Sequence, residues 1–387
     1  MNRRRPSGPL AGVRVVEMAA LGPVPFAGML LSDLGADVIL VDRPGPPPED
    51  DPTLSLTKRG RRSVILDAKN EHGRTVLLDL VRTADVLLEG SRPGVMEKLG
   101  LGPDECLAAR PSLVYGRATG WGQDGPYAQT AGHDINFIAL SGVLWGTGRA
   151  GERPVPPLNL LGDYGGGGMM LAFGVVAALL EARASGIGQV VDAAMLDGAA
   201  LMSTLIWEMR ARGRHEDARG VNLLDTGAPF YDVYECSDGE FVAVGALEPQ
   251  FYAELCRRVG FEQDLDPDTR PAQLDRATWP ARKTEMERLF LTRTRDEWQR
   301  LLEHTDACVA PVLSWAEAPA HPHNAARQTF AEVDGVLQPA PAPRFSRTPA
   351  AVQAPACARG EHTEDVLAEL GMDGGERTRL RSTGALG

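Results

Sequence analysis

Short apolar runs alternate with longer runs of helical spacing through the first third of the chain. GVRVVEM at 12–18 predicts a buried strand, PFAGMLLSDLG at 25–35 a helix, and ADVILVD at 36–42 a second strand. The order then continues with RSVILD at 62–67, a helix over HGRTVLLDLVRTA at 72–84, DVLLEG at 85–90 and SLVYGR at 112–117. Strands that are apolar throughout and separated by helices predict a largely parallel sheet covered on both faces, so the fold class is α/β.

The texture changes after residue 160. GDYGGGGMMLAFGVVAALLEARASG predicts one long, almost wholly apolar helix ending at Gly186, and 192–213 predicts a second long helix. From 226, APFYDVYECSDGEFVAVGA is two β-runs joined by SDGE, a hairpin signal. Amphipathic helices near 249–260, 277–292 and 295–304, a strand at 307–313 and a final helix at 360–372 follow. These shifts divide the chain into a large domain (1–190), a helical linker (191–225), a smaller α+β domain (226–313), a Pro- and Ala-rich extended linker (314–358) and a closing segment (359–387). No internal repeat is evident.

Composition narrows the class. With 387 residues the chain exceeds one usual domain, and 43% hydrophobic against 24% charged residues is the balance of a globular protein. A net charge of -12 argues against a broad nucleic-acid surface. The three arginines of MNRRRPSG read as a frayed tail, since no apolar run follows them. Five dispersed cysteines without a CxxC pair read as reduced packing residues, and the longest apolar run, 169–180, is short for a membrane span. The terminal TGALG matches no peroxisomal address. A cytoplasmic protein with no membrane partner is expected.

The first β-α-β unit invites a dinucleotide site, but its turn, AALGPVPFAG, lacks G-x-G-x-x-G and carries prolines where amides would be needed. NAD is therefore rejected. Arg43 and Arg92 each follow a predicted strand, and TKRGRRSVILDAKN adds Lys58, Arg59, Arg61, Arg62 and Lys69. A lone basic residue is ordinarily a solvated charge. Three clusters at corresponding strand ends leave a phosphorylated ligand as an even alternative.

GHDINF places His133 and Asp134 where a helix cap would sit, and taken alone the capping reading leads. Four consecutive glycines after Asp163 cost roughly 1 kcal/mol each against alanine in a helix, so they serve either tight packing or close approach of a ligand. Glu248, just before Pro249, has the position of a helix-start carboxylate. The HPH of His321 and His323 lies in a Pro-rich loop without a carboxylate pair, and no metal is assigned. Met169, Met170, Met195, Met202 and Met209 read as core, though an adaptable Met surface would suit varied acyl chains.

Taken together, PLAGVRVVEM, LGADVILVDRPG, RPGVMEKLGLGP, TGWGQDGPYA, AGHDINF, PLNLLGDYGGGG, GQVVDAAMLDG, GAPFYDVYECSDGEFVAVGALEPQFY and GEHTEDVL resemble the α-methylacyl-CoA racemase branch of the class III CoA-transferase superfamily. The resemblance covers about residues 9–372. It implies an interlocked homodimer, with a Rossmann-like large domain and a small domain joined by long linkers, and a closing segment that returns to the large domain. It implies an acyl-CoA substrate, with CoA part of that substrate and no separate cofactor. Arg43, the run Leu66, Asp67, Ala68 and Lys69, and Arg92 would bind the adenine and phosphate portion; Gly132, Asp134, Ile135, Asn136 and Phe137 would contact the thioester end.

The implied chemistry is racemisation next to a thioester, which needs a base on one face of the carbon and an acid on the other. The resemblance assigns His133, paired with Glu248 of the other subunit, to one face and Asp163 to the opposite one. The amides beginning the Asp163 helix would stabilise the enolate oxygen, and the glycines would give the acyl chain room. The alternative within the superfamily is CoA transfer with Asp163 as covalent acyl carrier. Phe137 stands where the family commonly has Tyr, and PGPPPEDDPTLSL is an insert-like stretch beside the phosphate-binding region.

Overall fold

The computed structural model describes residues 7–46, 54–261 and 273–386. The N-terminal arginine tail and most of the PGPPPEDDPTLSL stretch lie outside the described residues. The chain forms two compact units, one of residues 1–141, 158–202 and 323–387, the other of 142–157 and 203–322.

The first unit opens with β1 (Arg14–Met18), α1 (Pro23–Asp33), β2 (Asp37–Asp42), β3 (Arg61–Ile65), α2 (Glu71–Thr83), β4 (Val86–Glu89), α3 (Val95–Lys98), α4 (Pro103–Ala109), β5 (Val114–Thr119) and α5 (Asp134–Leu140). A π-helix, Leu160–Met169, then runs into α6 (Met170–Ser185), followed by β6 (Gln189–Ala194) and α7 (Met195–Met202). The six strands form one sheet in the order β3-β2-β1-β4-β5-β6, and every pairing is parallel. This is the doubly wound Rossmann order, whose ligands bind beyond the carboxyl ends of the strands. Neighbouring residues of a strand point to opposite faces, so Val16 packs with Leu77 and Leu80 of α2 while Val15 packs with Leu31 of α1 and Val175 of α6.

One helical expectation changes. Residues 192–213 are not one helix: the chain completes β6 beside β5, and only then forms α7 and α8 (Thr204–Ala211). The β-branched pair Val190–Val191, brought alongside β5 by the turn at Gly186, fits strand pairing better than a helix. The apolar helix forms as its sequence suggested, with a π-helical first part and its end at Gly186. Leu160–Ser185 runs 26 residues, enough by length and composition to cross a membrane, but half of its most apolar stretch is buried inside the protein, as in a core helix.

The second unit carries α8, then β7 (Tyr231–Glu235) and β8 (Phe241–Gly245), which pair antiparallel around the SDGE turn. It continues with α9 (Pro249–Val259), α10 (Trp279–Phe290), α11 (Arg295–Leu302) and β9 (Val309–Pro311), whose pairing with β8 completes a three-stranded sheet over a core of Phe230, Tyr234, Trp279, Phe290 and Trp298.

Residues 314–358 are not extended throughout. They contain α12 (Pro322–Arg327) and the hairpin of β10 (Phe330–Val333) with β11 (Val336–Pro339). Its two turn residues, Asp334 and Gly335, both have positive φ, 52° and 79°, matching the twist of a tight hairpin. The chain then covers the exposed edge of β3. Gly60 N–H donates to the Ala354 carbonyl at 2.8 Å, and Ile65 N–H to Thr363 Oγ1 at 3.1 Å. The helices α13 (Thr363–Glu369) and α14 (Gly374–Ser382) close the unit, and the His362 N–H donates to the Ser63 carbonyl at 2.9 Å along the same edge.

Candidate active site

Where α5 starts, the backbone answers the question of His133 as a cap. The His133 carbonyl accepts the Asn136 N–H at 2.7 Å, and Asn136 Oδ1 accepts the His133 N–H at 3.0 Å. Asn136 therefore completes the cap from inside the helix. The exposed His133 borders a cavity of about 280 Å³, shared with Arg92, Thr119, Trp121, Phe137 and Met195.

The next residue, Asp134, is buried, and its Oδ1 accepts two amides, Gly162 N–H and Asp163 N–H, each at 2.7 Å. Its Oδ2 is buried without a hydrogen bond. Gly162 must be glycine here, because a Cβ would lie 2.5 Å from Asp134 Oδ1. These bonds correct the expectation that the amides opening the Asp163 helix face the substrate oxygen: two of them are committed to Asp134. Sequence reasoning placed Asp134 at the thioester and missed this role; the only signal was a carboxylate adjacent to His133.

Asp163, half-buried, sits in the π-helix, where Asn159 Nδ2 donates to its Oδ2 at 3.5 Å. Burial pushes its carboxyl above the ordinary range; the Asn159 hydrogen bond opposes this, the Asp134 charge adds to it and His133 opposes it. A carboxyl raised in this way holds its proton more tightly than a free one, which suits a group that must give as well as take a proton. Asp163 does not itself line the cavity that His133 borders.

The four glycines pack rather than open a space. A Cβ on Gly166 would meet Ala199 N at 2.7 Å and Met195 O at 2.9 Å, and one on Gly168 would meet Pro23 O at 2.8 Å. Gly166, Gly167 and Gly168 are buried, letting the π-helix lie against α1 and α7. The expectation that they give an acyl chain room is corrected accordingly. π-Helical segments are rare and enriched at functional sites, and this one holds Asp163.

Phe137 is buried and meets Trp121 edge-on with ring centroids 4.7 Å apart. Gly120 and Gly132 make room for it: a Cβ would lie 2.1 Å and 2.7 Å from its ring. Asn136 is spent on the cap, and Ile135 projects to solvent.

Beyond the strands' carboxyl ends, the residues expected at the nucleotide divide. Arg43 follows β2 and is exposed, Arg92 follows β4 and is exposed at the cavity, and Lys69 is exposed beyond β3. Leu66 is core and Ala68 packs against it, while Asp67 Oδ1 accepts the Lys69 N–H at 2.9 Å, so this run offers backbone and one cation rather than four side chains. Arg59, Arg61 and Arg62 are not available to a phosphate. Arg61 pairs with Glu17 at 3.0 Å with both side chains fully buried, Arg59 with Asp33 at 2.5 Å, and Arg62 with Asp37 and Glu369 at 2.6 Å each.

Glu248 lies in the second unit, exposed, as the N-cap of α9, and its carbonyl accepts the Phe251 and Tyr252 amides at 3.0 Å. His133, Asp134 and Asp163 all belong to the first unit. Among the described residues, one grouping has metal-ligand chemistry: Cys357, Glu361 and His362, within 4.8 Å of one another. Two of its atoms are in structural use: His362 Nδ1 accepts the Ser63 N–H at 3.3 Å, docking the closing segment on β3, and Glu361 Oε2 accepts the Ala358 N–H of its own turn at 2.9 Å.

The CoA-transferase family III model matches residues 10–363. The chain is 48% identical to alpha-methylacyl-CoA racemase of Mus musculus and 45% identical to that of Homo sapiens, in each case over 96% of both chains. Its backbone is similar to the crystal structure of a CaiB/BaiF family protein from Brucella suis, with a TM-score of 0.79 at 27% identity, covering 94% of this chain and 100% of that one. With the Rossmann order, the His133–Asp134 dipeptide and the Asp163 π-helix already in place, these matches establish that the chain belongs to CoA-transferase family III.

Proposed function

We propose that the protein is an α-methylacyl-CoA racemase, interconverting (2R)- and (2S)-2-methylacyl-CoA thioesters by 1,1-proton transfer. The observation that carries this reading is the pairing of His133 with Asp163 in one unit, coupled electrostatically and joined through Asp134. The racemase names of the two mammalian relatives support it over acyl transfer. One of the two groups, as base, takes the proton from C2, and the C–H electron pair moves into the thioester to form the enolate. The other group, protonated, returns a proton to C2 from the opposite face. The two then stand with their protonation states exchanged, ready for the reverse direction.

Arg43, Lys69 and Arg92 are exposed beyond the carboxyl ends of β2, β3 and β4 and fit the phosphates of CoA, which is part of the substrate; no further cofactor is needed for the proton transfer. We further propose an interlocked, cytoplasmic homodimer in which Glu248 of the other subunit meets His133. Single-epimer 2-methylacyl-CoA in deuterated water tests the activity: α-deuterium incorporation and epimer mixing together are expected. Transfer of CoA to an added carboxylate without α-exchange would instead establish the transferase reading.

A further inference from the structure

A buried cluster of charges lies behind one wall of the cavity. Glu89, the last residue of β4, is fully buried; its Oε1 accepts Arg117 Nε at 2.8 Å and its Oε2 accepts the Ser91 amide at 2.6 Å. Arg117, on the adjacent β5, is only 6% exposed in its side chain, and its Nη1 reaches Glu97 Oε1 of α3 at 2.9 Å. On its other side it stands in register with Asp192 of β6. One guanidinium thus ties together both ends of the segment from Glu89 to Glu97. Gly90, Ser91, Arg92 and Pro93 of that segment border the cavity alongside His133.

Burying the Glu89–Arg117 pair is costly, and a well-packed apolar pair often serves stability as well or better. The arrangement is not even complete as a structural network, since Arg117 Nη2 is buried with no hydrogen-bond partner among the described residues. What the charges do achieve is geometric. A planar fork fixes a carboxylate in direction as well as distance, and that carboxylate fixes the amide preceding Arg92.

We propose that Arg117 is a positioning residue of the acyl-CoA site, holding the Ser91–Arg92 wall in place through Glu89 and Glu97. The inference rests on the reading of Arg92 as a CoA contact. Its effect therefore falls on binding of the nucleotide end rather than on proton transfer. The test compares KM and kcat for a 2-methylacyl-CoA and for the same acyl group on pantetheine, which lacks the nucleotide. In Arg117→Met, KM for the CoA thioester rises about tenfold with kcat within about twofold, and KM for the pantetheine thioester is unchanged. Arg117→Lys, which keeps the charge without the fork, falls between. Glu97→Ala, at the exposed end of the cluster, folds normally and raises KM for the CoA thioester about threefold; it decides the matter where Arg117→Met is insoluble. Equal loss on both thioesters, or no change in either variant, overturns the inference while Arg92→Ala still raises KM for the CoA thioester alone. If Arg92→Ala leaves that KM unchanged, it is the underlying CoA reading that falls.

Discussion

The Asp134 carboxylate accepts the backbone N–H of Asp163 at 2.7 Å, and Asp134 is covalently the neighbour of His133. One peptide link and one hydrogen bond therefore separate the two proposed proton carriers. The spacing between them is set locally, by α5 and the π-helix meeting at one carboxylate, rather than by the sheet as a whole. Asp134 also contributes charge, helping burial to hold the Asp163 carboxyl above its ordinary range.

Asp134→Ala removes the acceptor of two amides, Gly162 N–H and Asp163 N–H. Each such bond to a charged group contributes about 1.5–3 kcal/mol, so unfolding stability falls by about 3–6 kcal/mol. The π-helix loses its tie to α5, and α-proton exchange drops about 100-fold, the usual consequence of displacing a reacting group by about 1 Å. Asp134→Asn keeps Oδ1 as acceptor but puts an amide donor where Oδ2 is buried without a partner, so it lies between wild type and Ala. Urea unfolding with deuterium exchange by NMR checks both. Undiminished exchange in Asp134→Ala would remove this residue from the proton-transfer geometry.

The raised Asp163 carboxyl has a sign that stability can report. The folded chain binds this proton more tightly than the unfolded one, so the favourable contribution is complete below the ordinary value of 3.8 and is lost as pH rises through the raised value. Above the raised value the fold lacks this contribution and carries the cost of the half-buried charge. Asp163→Asn is expected to raise the neutral-pH melting temperature by about 2 °C while abolishing epimerisation, and the gain disappears below pH 3.8. A melting curve that is lower than wild type at neutral pH contradicts this.

The sheet was legible because its strands are apolar on both faces and its helices on one, so period and length identified each. Asp192 was misread because Gln189–Ala194 is an outer strand next to a helix, and its mixed pattern fits either period over so short a run. The hairpin at 330–339 was hidden by prolines around it, although its Asp334–Gly335 turn carried the signal. At the site, residue types pointed to His133 and Asp163, but which group held which was not legible. Asp134 and Gly162 are 28 positions apart, and nothing local marks a carboxylate that will receive a distant amide. The arginine run at 59–62 misled for the same reason, since its partners Glu17, Asp33, Asp37 and Glu369 are scattered along the chain.

The glycine run predicts a graded response to one methyl group. Gly166→Ala drives its Cβ onto backbone atoms, Ala199 N at 2.7 Å and Met195 O at 2.9 Å, which cannot turn aside. Gly165→Ala also meets the flexible Met202 side chain, at 3.0 Å, but the Leu160 carbonyl stands at the same distance. Gly166→Ala is therefore the worse of the two, with a loss of about 3 kcal/mol against about 1 kcal/mol for Gly165→Ala. Chemical denaturation ranks them, and equal losses would count against close packing as the reason for the run.

The arginines near the strand ends separate into two kinds that mutation distinguishes. Arg61→Met leaves Glu17 fully buried without its cation, and one oxygen of that carboxylate already lacks a partner. Stranding a buried charge costs about 3–5 kcal/mol, so the variant unfolds at much lower urea while any folded fraction keeps its KM for the CoA thioester. Adding Glu17→Gln removes the stranded charge and recovers part of the loss. Arg92→Ala behaves in the opposite way: the residue is exposed, so stability stays within about 0.5 kcal/mol, while KM rises. A KM shift in the stable fraction of Arg61→Met would mean that the Glu17–Arg61 pair reaches the ligand after all.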